Sequence, residues 1–242
     1  MTELKWKIDT IRTVLFSNEK LKFKKKEWSK IITGQDIFNE MTQEENGKVT
    51  QYIEMTNIES NKQFNLVYVE EQNVLDLQLV FQQDQNTYSY NEITEIAKIF
   101  FEKNKALFDT LEDPIIRIGN VIELSISIDD EKSGCNLLKN NIPYLNTISD
   151  DLDEINFRIN KSYTHKNIKV NRVIQYAIGQ KMTVAIDPNI GIPKASLQKN
   201  ILMNIDVNTD ASHRSKLDLE EFNLSLQESV LNLIKNRGVY AS

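Results

Sequence analysis

The sequence predicts an α+β protein built from two related halves, residues 1–112 and 113–242, together one compact unit. Each half is expected to run strand, short helix, three antiparallel strands, long helix, with the helices covering the sheet. Three observations predict this. Two stretches, one from Ser89 to the Asp113-Pro114 stop and one from Asp218 to Gly238, carry apolar residues at spacings of three and four, the period of a helix. Three runs of β-type composition precede each of them. Residues 114–128, PIIRIGNVIELSISI, then restart the order: Ile116, Ile118, Ile122, Leu124, Ile126 and Ile128 fall on alternate positions, with one gap at Asn120.

The elements follow in chain order. LKWKIDTIRTVLFS alternates, with Trp6, Ile8, Val14 and Phe16 on one side, and predicts the first strand. A lysine-rich segment leads to WSKIITGQDIFNEM, a short helix with Trp28, Ile31, Ile32 and Phe38, broken or loosened near Gly34. KVTQYIEMTNI, KQFNLVYVE and VLDLQLVFQ are the three strands, with Asn46-Gly47 and Glu59-Ser60-Asn61 as turns. Ser89 and Glu92 form a capping box at the head of the first long helix. Its stripe is Ile93, Ile96, Ala97, Phe100, Leu107, Phe108 and Leu111, and Asp113-Pro114 stops it.

After the 114–128 strand comes a helix over SGCNLLKNNIPYL, ended by Pro143, and an acidic loop. The strands INFRINKSY, IKVNRVIQYAI with MTVAI, and ILMNIDVNT follow. In the last helix Asp218 caps the start, and Glu220 and Glu221 suit the positive end of its dipole. Phe100 and Leu231 are expected to be buried. Strands joined by short turns should pair antiparallel, and one continuous sheet with both long helices on the same face is the simplest assembly.

The chain has 242 residues, enough for a core that needs no disulfide or metal. A net charge of −6 argues against bulk attraction to nucleic acid or anionic membranes. A single cysteine, Cys135, excludes an internal disulfide and fits a reducing compartment. The start, MTELKWKIDT, has charges where a signal peptide would have its apolar core, and no apolar run approaches the ~20 residues that span a bilayer. A cytoplasmic location without membrane contact is expected.

One basic constellation stands out. Lys20, Lys22, Lys24, Lys25 and Lys26, with Trp28 beside them, have the composition of a phosphate or nucleic-acid grip with a stacking ring. In an acidic chain the commoner role for such a cluster is a solvated loop with Leu21 and Phe23 turned inward, so nucleic acid is not the favoured partner. The two histidines, His165 and His213, have no second histidine or cysteine at ligand spacing, so no metal is expected. His213, in DASHRSK, reads as part of a helix entry, and Cys135 as a small buried residue. No set of residues qualifies as catalytic, and no cofactor motif occurs.

Arg117-Ile118-Gly119 and Asp206-Val207-Asn208 give the chain its resemblance to a sporadically distributed family of uncharacterised bacterial proteins with a duplicated strand–helix–three-strand–helix layout. Asn120 to Leu124 departs from that pattern. The resemblance covers most of the chain and implies the fold but no chemistry.

The expected function is therefore a non-enzymatic binding or assembly subunit of a bacterial or phage complex, whose partner is itself or another protein subunit. Analogy with other patchily distributed families suggests an antiviral-defence or mobile-element locus. The alternative is a hydrolase or nuclease with a dispersed acidic site, which requires Asp187, Asp206 or Asp210 to converge with shifted pKa values.

Overall fold

The computed structural model describes residues 4–21, 28–45, 48–82, 86–112, 114–142, 145, 154–186 and 193–236. The first half supplies β1 (Lys7–Ser17), α1 (Trp28–Thr33), β2 (Asn39–Glu45), β3 (Lys48–Glu59), β4 (Lys62–Val69), β5 (Val74–Phe81) and α2 (Tyr90–Phe108). The second supplies β6 (Ile115–Ser127), α3 (Glu131–Asn141), β7 (Asn156–His165), β8 (Ile168–Ile186), β9 (Pro193–Thr209) and α4 (Leu219–Lys235). Among the described residues, nine strands form one sheet in the order β2-β3-β4-β5-β1-β6-β9-β8-β7, and every neighbouring pair is antiparallel. The expected antiparallel α+β architecture stands, and β1 and β6 join the halves into a single sheet.

The first half has four strands after its short helix, not the expected three. The spacing predicts a short helix in residues 28–41, broken or loosened near Gly34, and α1 stops at Thr33. Gly34 takes φ +71°, and its N–H bonds to the Lys30 carbonyl at 2.8 Å, a left-handed stop that glycine adopts without strain. Asn39–Glu45 then pairs with β3 from Asn39↔Met55 to Glu45↔Lys48. Its sequence, NEMTQEE, shows no alternation because this edge strand buries neither face.

The first strand also differs from its expected facing. Trp6 and Ile8 point into the core as predicted, but Val14 and Phe16 do not. The register with β6 slips between Ile8 and Thr10, a bulge at Asp9. One extra residue moves every later side chain to the other face, so Ile11, Thr13, Leu15 and Ser17 are buried instead.

The predicted caps are present. The Ser89 hydroxyl accepts from the Glu92 N–H while the Glu92 carboxylate accepts from the Ser89 N–H, and the Asp218 carboxylate accepts from the Glu221 N–H at 3.2 Å. Between β7 and β8 the two-residue turn Lys166-Asn167 has φ 45° and 65°, the left-handed pair of a tight hairpin. Phe100 is buried at 5% exposure. Leu231 is only partly buried, because Val230, Leu233 and Ile234 centre the apolar face of α4 one position to either side.

The four helices of the described residues lie on one side of the sheet. In paired strands, residues directly opposite share a face. Thr13, Asn120, Ile174, Ile205, Leu66 and Leu77 belong to one such set through the registers. Helix side chains bond members of that set: Asn104 of α2 bonds Thr13, Asn223 of α4 bonds Asn120, and Ser29 of α1 bonds Glu54, opposite Leu66. Gly134 of α3 sits where a Cβ would come within 2.6 Å of Ile128 and 3.2 Å of Ile178, so glycine lets this helix settle on β8 and β9. The core is one apolar cluster running through both halves. At its middle lies a polar knot, fully buried: the Thr13 hydroxyl donates to Asn120 Oδ1 at 2.8 Å, and Asn104 Nδ2 donates to Thr13 Oγ1 at 3.1 Å. No described helix is long and apolar enough to cross a membrane.

Candidate functional site

The other face of the sheet carries no described helix, and its side chains are of a different kind. From β3 to β5 it presents Asn57, Gln63, Asn65 and Gln78; from β9 to β7 it presents Asn204, Asn208, Asn171, Gln175 and Asn156. These are the outward positions of alternating strands, so amides there cost the core nothing. They are hydrogen-bonded into rows. Gln63 Nε2 donates to Asn65 Oδ1 at 2.7 Å, Asn171 Nδ2 to Asn208 Oδ1 at 3.3 Å, and Gln175 Nε2 to Asn156 Oδ1 at 3.0 Å.

The charges gather at the centre. Arg12 of β1 grips Asp76 of β5 through Nε to Oδ1 at 3.2 Å and through a second bond from Nη2 to Oδ2. Gln78 donates to the same carboxylate at 2.8 Å. Burial lowers the Arg12 pKa, and the hydrogen bond and charge of Asp76 outweigh it and push it up. Glu123 of β6 stands beside this pair with no ion-pair partner among the described residues. Burial pushes its carboxyl above the usual carboxylate range, against the pull of Arg12. Asp206 of β9 is raised by burial too, offset in part by the Asn208 amide, which donates to its Oδ1 at 2.8 Å. Arg117 lies over the Phe16 ring at 4.3 Å, and burial and Arg214 lower its pKa.

One ion pair reaches across this face. Lys181 of β8 pairs with Asp9 of β1 across β9 and β6. Three strand spacings are about 14 Å on a flat sheet, too far for side chains that stand upright on it. The bulge at Asp9 and the long β8–β9 hairpin bring the two together, and Ser125 donates a second bond to Asp9 at 3.0 Å. Beneath them a hollow of about 320 Å³ is lined by Asp9, Glu123, Gln175, Ala177, Leu202 and Asn204. Such a surface can hold a ligand through many oriented amides and a few fixed charges. It has little surplus positive charge to attract phosphates, because two of its cations are already paired.

The residues singled out in the sequence lie elsewhere. Lys20 is paired with Glu70, which raises its pKa, and Trp28, the first residue of α1, is 4% exposed, so its ring has no free face for stacking. Lys22, Lys24, Lys25 and Lys26 lie outside the described residues. Asp187 does too. Asp206 and Asp210 sit four residues apart on and just after β9, about 13 Å along a strand, and their environments diverge. Asp210 is lowered to about 2 by the Ser212 hydroxyl and N–H, whereas Asp206 is raised. Among the described residues no three His, Cys, Asp or Glu side chains are placed to hold a metal ion. His165 packs edge-on against Phe222 and lies 3.3 Å from Glu221, His213 follows the Asp210 turn, and Cys135 is buried.

Comparison with known proteins finds no matching family model, no matching curated protein and no matching solved structure. The open face therefore has to be read from its own chemistry. Arg12, Asp76 and Glu123 escaped the sequence reading. Alternation marked them as outward positions, but their convergence depends on strand order, and β5, β1 and β6 are far apart in the chain.

Proposed function

We propose that the protein is a binding or assembly subunit that holds a protein partner, another copy of itself or a different subunit, against the uncovered sheet face. The observation that carries this is the one-sided fold. A nine-stranded sheet has its described helices on one face only, and the bare face is ordered by hydrogen bonds before any partner arrives. Preorganised side chains lose little freedom on binding. An exposed apolar side chain on this same face points the same way: Met41 of β2, whose register runs through Ile53 and Val67 to Asp76.

The halves are read here as copies of one unit. The order β3-β4-β5-β1 on one side of the central seam is mirrored by β6-β9-β8-β7 on the other, with β2 as an addition to the first half. A duplicated sheet gives one long face rather than two small ones, which suits an extended partner surface.

Two substitutions test the reading. Asn57→Arg and Gln175→Arg place long cations on the open face without touching the core. Each should weaken association at least about tenfold, a loss of roughly 1.4 kcal/mol, while leaving the melting temperature unchanged. Complexes that survive both substitutions intact would place the interface elsewhere.

A further inference from the structure

On the helix side of the first half, well away from the open face, a pocket lies between α1, α2 and the β3–β4 hairpin. It has a volume of about 150 Å³. Ile32, Phe64, Leu79 and Phe100, all buried, form its floor, and Ile58 and Ile96 stand at its walls. Engineered apolar cavities of about this size stay dry and accept a ring the size of benzene. The lining continues outward through Ile99, which is 53% exposed.

The mouth is charged. Glu59, Lys62 and Lys103 line it. Lys62 is occupied: its Nζ is 2.7 Å from Glu59 and 5.9 Å from the centre of the Phe81 ring. Lys103 has no ion pair among the described residues and is exposed. The mouth therefore carries one surplus positive charge directly above an apolar hollow.

We propose that this pocket binds a small apolar carboxylate, its alkyl or aryl tail against Phe64, Leu79 and Phe100 and its anionic end at Lys103. The reasoning is complementarity of both parts at once. A neutral apolar molecule would fill the hollow but leave Lys103 unmatched, and an amine would meet the like charge of Lys103. The site is separate from the open sheet face and does not depend on what that face binds.

The test is an NMR titration of the full chain with ¹³C-labelled isoleucine methyls, using hexanoate, hexanol and hexylamine as probes. Hexanoate should shift the methyls of Ile32, Ile58, Ile96 and Ile99 and leave Ile205, buried in the other half, unmoved. A charge-assisted hydrogen bond should make hexanoate bind about tenfold more tightly than hexanol, with hexylamine weakest. Lys103→Gln, at an exposed position that the fold does not need, should remove that preference and leave hexanol binding as it was. Three results would overturn the proposal. Hexanoate could shift none of the four methyls. Hexanol could bind as tightly as hexanoate, with Lys103→Gln without effect. Or the four methyls could move with protein concentration alone, which would assign the pocket to a second copy of the chain.

Discussion

Asn120 interrupts the alternation of β6, and its side chain explains the gap. It lies opposite Thr13 in the central strand pair and accepts the Thr13 hydroxyl, with Asn104 and Asn223 closing over it from α2 and α4. Buried polar groups are tolerated only when paired. The gap was legible in the sequence, but its partners were not, since they stand 107 and 103 residues away. Asn120→Ala should cost about 2 kcal/mol, because it leaves a buried hydroxyl without its acceptor. A urea titration should show a lower midpoint with an unchanged slope. Glu123 behaves in the opposite sense. Its folded-state pKa is raised by burial, so the stability it contributes is full below the unfolded pKa and is lost as pH rises through the folded one. Glu123→Gln should therefore raise the melting temperature at neutral pH by a few degrees. The gain should shrink as pH falls through the raised folded-state pKa and be gone below about 4.3, the unperturbed glutamate value. A gain that is constant with pH would mean that packing, not charge, is responsible.

At the scale of the element, the long helices and the paired strands were legible because local chemistry marks them. Ser89 with Glu92 and Asp218 with Glu221 satisfy N–H groups that no turn of helix can reach, and the hairpin turns sit at Ser60-Asn61 and Lys166-Asn167, where tight turns favour such residues. Ser89→Ala should cost about 1 kcal/mol, read as loss of helix stability by thermal unfolding monitored in circular dichroism. Two elements were misread for physical reasons. β2 has no period of its own and becomes a strand only by pairing with β3, and the bulge at Asp9 changes the facing of β1 without altering its composition. Helix faces set the size of core effects. Phe100→Ala, from the middle of the α2 face, should cost about 3–5 kcal/mol, and Leu231→Ala, from the margin of α4, clearly less. Equal losses at the two positions would show that the α4 face has been placed one residue out.

At the scale of the whole molecule, the α+β class and the single antiparallel sheet were within reach of the sequence. The open face was not, because it is assembled from strands that are neighbours only in the sheet order. What alternation supplied was half of it: the polar residues that point away from the core. The sheet order then collects them into one surface, and the Lys181–Asp9 pair reaches across it. The central claim is that this surface works by holding another protein. Light scattering after size exclusion, over a wide range of concentration and with the products of adjacent genes added in turn, tests it most directly. The expected result is a species heavier than the 28.1 kDa chain, by self-association or by co-elution with one added partner. A mass of 28.1 kDa at every concentration, with no added protein co-eluting, would contradict it.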